Sequence, residues 1–309
     1  MINEQITATE YLSSQTKEEA SLPLITVAMP VYNAGKYLRF AVLSIVNQTF
    51  TNWELLIIDD GSTDNSLQEI ADLKDERIKI LSDGKNRGLA VRLNESIDLA
   101  RGLYFARMDG DDICYPERFE RQITAFQNNH ALDLLATRAI TIDDNNQVTG
   151  LFPYAISHEE ICARPWLGFY LPHPTWMGKS EWFRKFRYTV PGPYCCEDQE
   201  LLLRSYHNSH LETLDEILLA YRIRNKIDWK KLARTRRTVF SAQFQYFARL
   251  NLWHYLLLAT AAFIGKIIND FLKKNLGGNF QPGHNIVSDS LLIKWQNIFD
   301  GLTSRTKIP

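Results

Sequence analysis

The sequence predicts an α/β protein built on a parallel sheet, and three observations carry that prediction. Short apolar runs alternate with helix-period segments from Leu24 to Met108. That is the rhythm of βα units, which bury a parallel sheet under helices on both faces. Two of the runs, Leu55–Ile58 and Leu103–Met108, end abruptly in acids: Asp59-Asp60-Gly61-Ser62 and Asp109-Gly110-Asp111-Asp112. The chain of 309 residues is 45% hydrophobic and 23% charged, which suffices for a large core and argues against bulk disorder.

Each element follows from local pattern. Residues 1–20 are polar and rich in Ser, Thr and Glu, and read as a mobile leader or a loose first helix. Leu24–Met29, ended by Pro30, reads as a first buried strand. Leu38, Ala41, Val42, Ile45 and Val46 recur at helical spacing, which predicts a helix over Gly35–Gln48. Glu54–Asp59 is the second strand, with Ser62, Thr63 or Asp64 placed to cap a following helix. Arg77–Leu81, Leu89–Ala100 and Leu103–Met108 continue as strand, helix and strand. Beyond Asp112 come a helix over Pro116–Asn128, a strand over Leu132–Ile142 and a helix over Glu197–Tyr206. The Pro-, Trp- and Gly-rich stretch Phe152–Pro193 between them reads mostly as loop with short elements, of the kind that lines a binding pocket.

Composition excludes several function classes. A net charge of −1 gives no global attraction to nucleic acid. Cys114, Cys162, Cys195 and Cys196 have neither zinc spacing nor a disulfide framework, so they read as reduced thiols of a cytoplasmic protein. No basic n-region or apolar h-region opens the chain, which argues against secretion.

The last third changes character. Arg222, Arg224, Lys226, Lys230, Lys231, Arg234, Arg236 and Arg237 are opposed only by Asp228, with Trp229, Leu232, Phe240, Phe244 and Phe247 behind them. Leu250–Gly265 is strongly apolar but shorter than the roughly 20 residues of a membrane span, and it carries Asn251 and His254. A basic amphipathic segment followed by a short apolar helix suits a helix lying in the membrane interface, with surface contact through 226–274. A helical hairpin packed on the main domain, or on a second subunit in a homodimer, is the alternative.

The acidic strand ends carry the chemistry. Carboxylates at the ends of parallel strands sit in the crevice where α/β folds bind ligands. Asp109-Gly110-Asp111 offers hard oxygen ligands for Mg²⁺ or Mn²⁺, and Gly110 lets the backbone pass close to a diphosphate. The Asp59–Asp60 pair invites a ribose hydroxyl or a base N–H between its two carboxylates; a plain turn and helix start over Asp59–Ser62 explains Ser62 and Asp64 but the acid pair less well. Pro30, Tyr32 and Asn33 can supply backbone contacts and a ring beside a base. Arg87 and Arg92 can bring positive charge to a diphosphate, and for Arg92 a solvated helix face is equally expected.

With those motifs in order, the chain resembles a family 2 glycosyltransferase of the bacterial surface-polysaccharide type. The resemblance runs from residue 22 to 225. It rests on Ile25–Asn33, Leu43–Thr49, Asp59–Ser62, Asn86–Ala90 and Met108–Asp112. It implies the GT-A fold, a Rossmann-like, mostly parallel central sheet flanked by helices, with a C-terminal helical appendage. It further implies a nucleotide-sugar-binding half at 21–112, an acceptor-binding half at 113–225 and a helical tail at 226–309. The implied reaction is an inverting transfer from a nucleoside diphosphate sugar, a UDP- or dTDP-sugar, to a hydroxyl of a lipid-linked or surface glycan. Pro30, Tyr32 and Asp60 match the positions that hold base and ribose. Asp109 and Asp111 match the metal and ribose-diphosphate positions, with Asp111 as the direct ligand of Mn²⁺ or Mg²⁺. Asp198, in Cys196-Glu197-Asp198-Gln199, matches the catalytic base, with Glu197 beside it. His173, in Pro172-His173-Pro174-Thr175, resembles a segment of the polysaccharide-building members and is expected near the sugar or acceptor. Trp166, Trp176 and Trp182 offer stacking faces.

The Gln-x-x-Arg-Trp motif of processive synthases is missing, so single addition is expected. Such a protein belongs in the cytoplasm, peripheral on the cytoplasmic face of the inner membrane. The alternatives are a sugar-nucleotide-forming nucleotidyltransferase, which needs a Gly-rich loop after the first strand, and a catalytically silent sugar-nucleotide-binding protein.

Overall fold

The computed structural model describes residues 22–223, 228–276 and 287–304, so the expected leader, Arg224 and Lys226 lie outside the described residues. A single sheet organises the first two-thirds of the chain. Its strands are β1 (Ile25–Val31), β2 (Trp53–Asp59), β3 (Ile78–Ser82), β4 (Tyr104–Arg107), β5 (Ile113–Cys114), β6 (Leu134–Ile142), β7 (Val148–Leu151), β8 (Met177–Lys179) and β9 (Leu211–Arg222). The order across the sheet is β3-β2-β1-β4-β8-β6-β9-β5, with β7 paired to β6. The half β3-β2-β1-β4 is parallel. Beyond it β8 runs antiparallel to both β4 and β6, whereas β9 is parallel to β6. The sheet is therefore mixed, with its parallel part confined mainly to the first 107 residues.

The helices are α1 (Tyr37–Val46), α2 (Leu89–Leu99), α3 (Arg118–Asn128), α4 (His158–Cys162), α5 (Ser180–Lys185), α6 (Glu197–Ser205), α7 (Trp229–Arg249), α8 (Trp253–Leu276) and α9 (Asp289–Ser304). They cover both faces of the sheet. Val27 and Met29 of β1 pack with α1, α3 and α9, and Ala28 packs with α2, α5 and α6 on the other face. This is the alternation a strand buried on both sides must show. Burial of Leu38, Ala41, Val42 and Ile45 follows the helical stripe read from the sequence.

Three expectations change. β1 does not stop at Pro30 but runs through it to Val31. Pairing with β4 ends at Ala28–Arg107, two residues earlier, so the missing N–H of proline costs no ladder bond. The helix expected after Ser62 shrinks to a single 3-10 turn at Leu67–Ile70, because Asp59, Asp64 and Asn33 spend their side chains on loop amides. The Phe152–Pro193 stretch is mostly loop with short elements, as read: α4, β8 and α5 lie inside it. A capping box between Ser157 and Glu160 starts α4.

The third change concerns the C-terminal region. The apolar run continues as one helix to Leu276, so that Trp253–Asn275 is long and apolar enough to cross a membrane by length and composition. In the structure it lies along α7, joined by the stacked rings of Phe240 and Phe263 at 4.6 Å. The last helix, α9, packs on the sheet domain itself: Trp295 and Leu302 are buried in its core, and Trp295 Nε1 donates to the Asn146 carbonyl.

Candidate active site

Loops following β1, β2, β3 and β4 gather at the carboxyl ends of the parallel strands, the crevice of an open α/β sheet. Tyr32 is 53% exposed there and presents a ring. Asn33 has a positive φ, and its Oδ1 accepts from the amides of Thr63 and Asp64. It ties the first loop to the second instead of reaching outward.

Asp60 is buried and accepts from the amides of Arg87 and Gly88 and from Arg92 Nε at 2.9 Å. Arg92 is only 1% exposed, and its guanidinium is shared among Asp60, Asp83, Glu95 and the Lys85 carbonyl. This corrects the expectation of a solvated helix face: Arg92 is buried, and its donors are engaged inside the fold. Asp83, bound by Arg92, is held at a pKa of about 2. The network fixes the Asp83–Gly88 loop, from which Arg87 projects half-exposed, paired with Asp83 at 2.6 Å. Gly61 closes this arrangement. It sits at φ +73°, and a Cβ there would lie 2.9 Å from the Asn86 nitrogen.

The Asp109–Asp112 turn follows β4. Gly110 is closely packed: a Cβ there would lie 3.3 Å from a Val31 methyl and 3.4 Å from a Leu38 methyl, so those side chains would have to give way slightly. Asp109 is 26% exposed and bound by Arg107 at 2.5 Å. Arg222 Nε donates to the backbone carbonyl of Asp111 at 2.8 Å, which leaves this contact off the carboxylate. Asp112 is buried, accepts from the Arg222 amide at 2.7 Å, and has its other oxygen without a hydrogen bond. Burial, and then the charges of Asp109 and Asp111, push its pKa well up.

Among the described residues no three His, Cys, Asp or Glu side chains are grouped to hold a metal alone. The donor set still fits Mg²⁺ or Mn²⁺, which take one or two carboxylates and complete their shell with phosphate oxygens and water.

The amino end of α6 supplies the second half of the site. Glu197 and Asp198 stand in its first turn, where the helix dipole favours negative charge. Burial, and then the neighbouring Asp198, raise Glu197 to a pKa of about 7. Burial also raises Asp198, against the opposing effect of Gln199, whose Nε2 donates to Asp198 Oδ2 at 3.2 Å. His173 is buried on a short 3-10 turn, with Nε2 2.7 Å from the Tyr188 hydroxyl. Its Nδ1 is 3.9 Å from Glu197, too far for a hydrogen bond. Burial and then the Arg107 charge push His173 well below its ordinary pKa, so its ring is neutral.

Arg107 and Tyr188 are the residues that the sequence reading missed. Arg107 is 3% exposed, and its Nε and Nη1 have no hydrogen bond. Its charge acts on Asp109, Asp112, His173, Tyr188, Glu197 and Asp198 alike. In the sequence it looks like one more residue of a strand. The only signal was a cation inside an otherwise apolar run.

Next to Asp198 and His173 opens a cleft of about 460 Å³, walled by Phe152, Trp166, Phe169, Tyr170 and the inner faces of α7 and α8. Trp166 is thus the tryptophan beside a cavity, whereas Trp176 and Trp182 fill the core.

An open α/β crevice with acidic strand ends and a separate carboxylate pair at a helix start defines a nucleotide-using transferase site. The model of the family described as glycosyl transferase family 2 matches residues 26–187, and the chain belongs to that family. An uncharacterized glycosyltransferase of Methanocaldococcus jannaschii is 32% identical over 214 residues, covering 67% of this chain and 73% of that one. The Escherichia coli UDP-Glc:alpha-D-GlcNAc-diphosphoundecaprenol beta-1,3-glucosyltransferase WfgD is 31% identical over 147 residues, which is 47% of this chain and 57% of that relative. Staphylococcus aureus TarS 1-349 in complex with UDP-GlcNAc superimposes with a TM-score of 0.58, at 17% identity, over 90% of this chain and 80% of that one. The protein is a glycosyltransferase with a GT-A-like fold.

Proposed function

We propose that the chain is an inverting, non-processive glycosyltransferase. It would move one sugar from a UDP- or dTDP-sugar to a hydroxyl of a lipid-linked or surface glycan. The observation that supports this reading is Arg107, whose buried guanidinium pairs with Asp109 and whose charge also acts on Glu197 and Asp198. One charge thereby joins a donor end and a base end in a single site.

Residues 21–112 supply the donor half and 113–225 the acceptor half. Tyr32 lies beside the base, with Pro30 in the strand beneath it. Asp60 and Asn33 shape the nucleoside pocket through the loops they hold, and Arg87 reaches the diphosphate. Asp111, with Asp109, would hold Mn²⁺ or Mg²⁺, which when bound offsets charge growing on the departing diphosphate. Asp198 takes the proton from the acceptor hydroxyl as its oxygen attacks the anomeric carbon. The bond from that carbon to the diphosphate breaks, and its electron pair leaves with the nucleotide. The raised pKa of Glu197 suits it to hold a proton beside the base and to donate a hydrogen bond to the acceptor. Neutral His173, fixed by Tyr188, positions the sugar.

The nucleotidyltransferase alternative is disfavoured, because Pro30-Val31-Tyr32-Asn33 lacks the Gly-rich, cation-bearing loop it needs. The silent-binder alternative leaves the paired carboxylates at α6 without a purpose. The protein acts at the cytoplasmic face of the membrane, touching it through 226–274. Support comes from α8, whose Trp253, Leu257, Ile264, Ile268 and Phe271 are exposed, with Leu257 at 73%.

A panel of sugar nucleotides incubated with the protein and a glycan acceptor tests this reading. Wild type transfers one sugar, while Asp198→Asn keeps donor binding and loses about 10²–10⁴ in kcat. Undiminished transfer by Asp198→Asn would remove it from the base role.

A further inference from the structure

The acid turn of the donor site is held from a direction that its own strands do not explain. β4 ends at Arg107 and β5 begins at Ile113, so the ladders of these strands do not reach Asp109–Asp112. Arg222, at the end of β9, takes hold of the turn twice. Its backbone amide donates to Asp112 Oδ1 at 2.7 Å, and its Nε donates to the Asp111 carbonyl at 2.8 Å. The same guanidinium donates through Nη1 to the Asp143 carbonyl and through Nη2 to Asn146 Oδ1 at 2.7 Å. Its face lies 4.1 Å from the centre of the Tyr37 ring. Each of these side-chain acceptors is a neutral oxygen, so the fork spaces backbone segments rather than neutralising a carboxylate. A rigid planar group held at three points passes the position of one partner to the others.

Asp143 and Asn146 belong to the turn between β6 and β7. Asp143 Oδ1 accepts from the amides of Asn145 and Gln147, and Asn146 stands at φ +62°. The helix α9 holds this turn from outside. Trp295 is buried, donates from Nε1 to the Asn146 carbonyl at 2.9 Å, and stacks on Tyr115 at 6.3 Å, just beyond Asp112 in sequence. Phe299, one helical turn on, meets Trp295 at 5.6 Å and Phe40 of α1 at 5.4 Å. α9 lies outside residues 26–187, the segment that matches the family, so this contact comes from the chain's own C-terminal region.

We propose that Trp295, Asn146 and Arg222 are positioning residues, and that through them α9 sets the Asp109–Asp112 turn for the cation and diphosphate. This rests on the donor reading above and gives the C-terminal helix a part in it. Groups that orient a metal ligand from behind typically account for about 10–100-fold in metal affinity.

Two readouts on the full chain test the brace. Hydrogen exchange of the metal-free protein reports the turn itself. Asn146→Gly keeps the positive φ and removes the acceptor of Arg222. Trp295→Phe keeps a ring and removes the donor to Asn146. Each speeds exchange in peptides covering Asp109–Asp112 by about threefold or more, while peptides covering Asp59–Ser62 exchange as in wild type. Calorimetry of UDP in Mn²⁺ and in EDTA is the second readout. The Mn²⁺-dependent affinity falls about tenfold in Asn146→Gly and by less in Trp295→Phe, and the affinity in EDTA is unchanged. Arg222→Lys, with the charge but not the fork, matches Asn146→Gly in both readouts. Gln296→Ala, on the exposed face of α9, changes neither.

Wild-type exchange at Asp109–Asp112 in both brace variants would overturn the proposal. So would faster exchange with an unaltered Mn²⁺-dependent affinity, or equal speeding at Asp59–Ser62, which marks general loosening. Absence of Mn²⁺-dependent UDP binding from wild type would sink the donor reading instead, and exchange at the turn would still decide whether α9 holds it.

Discussion

Glu197→Gln should make the protein more stable at pH 8 and leave it nearly unchanged at pH 4. In the fold, burial and Asp198 hold the Glu197 proton up to a pKa of about 7, against an ordinary value of 4.5. The native state therefore binds more protons than the unfolded chain between these values. Its stability falls as pH rises through that window, and the deficit is complete above about pH 7. At 1.36 kcal/mol per unit, the shift corresponds to about 3 kcal/mol as an upper figure.

Glutamine keeps the shape and carries no charge, so the deficit disappears. For a chain of this size that is roughly 5 °C in Tm. Thermal unfolding of both proteins at pH 4 and pH 8 reads it directly. A Tm difference that does not change with pH would refute the idea that Glu197 is a strained carboxyl held against the base.

Two further outcomes follow from the geometry. Gly61→Ala places a Cβ at φ +73° and 2.9 Å from the Asn86 nitrogen, so it should cost about 1–3 kcal/mol. Because the displaced loop carries Arg87, it should also weaken UDP affinity, and unchanged melting and binding would contradict this account of the loop. For the tail, Leu257→Glu/Ile264→Glu/Ile268→Glu should abolish sedimentation of the full chain with anionic vesicles. Unaltered sedimentation would count against the membrane contact, and conversion of a dimer to a monomer by the same substitutions would assign the face to a second copy.

Much of the donor half was legible because it obeys short-range rules. Leu55–Ile58 could hardly be anything but a buried strand, and its acidic end had to lie at the sheet's edge. The same logic found Asp109–Asp112, whereas the role of Glu197 and Asp198 at the start of α6 came only from the resemblance. What stayed hidden depended on contacts across the fold. β9 was unread because Asp215 and Glu216 interrupt its alternation, and the structure accommodates them in an irregular register opposite Thr137–Ala139. The internal network of Arg92 was not legible because three of its partners, Asp60, Asp83 and the Lys85 carbonyl, come from loops outside its own helix. Arg107 gives little sequence sign that its charge pairs with Asp109 and also acts on Glu197, which lies 90 residues further along the chain. The cleft wall of α7 and α8 was read as tail for the same reason: periodicity shows an amphipathic helix but not what it faces.

The division of labour between the strand-end acids and the α6 pair is the central claim, and UDP calorimetry with and without Mn²⁺ tests it most directly. Wild type and Asp198→Asn should bind UDP with equal affinity and only weakly without the cation, while Asp111→Ala should lose the Mn²⁺-dependent part. If wild type shows no Mn²⁺-dependent UDP binding, or if Asp198→Asn loses it as fully as Asp111→Ala, then the carboxylates do not divide into donor and base, and the account fails.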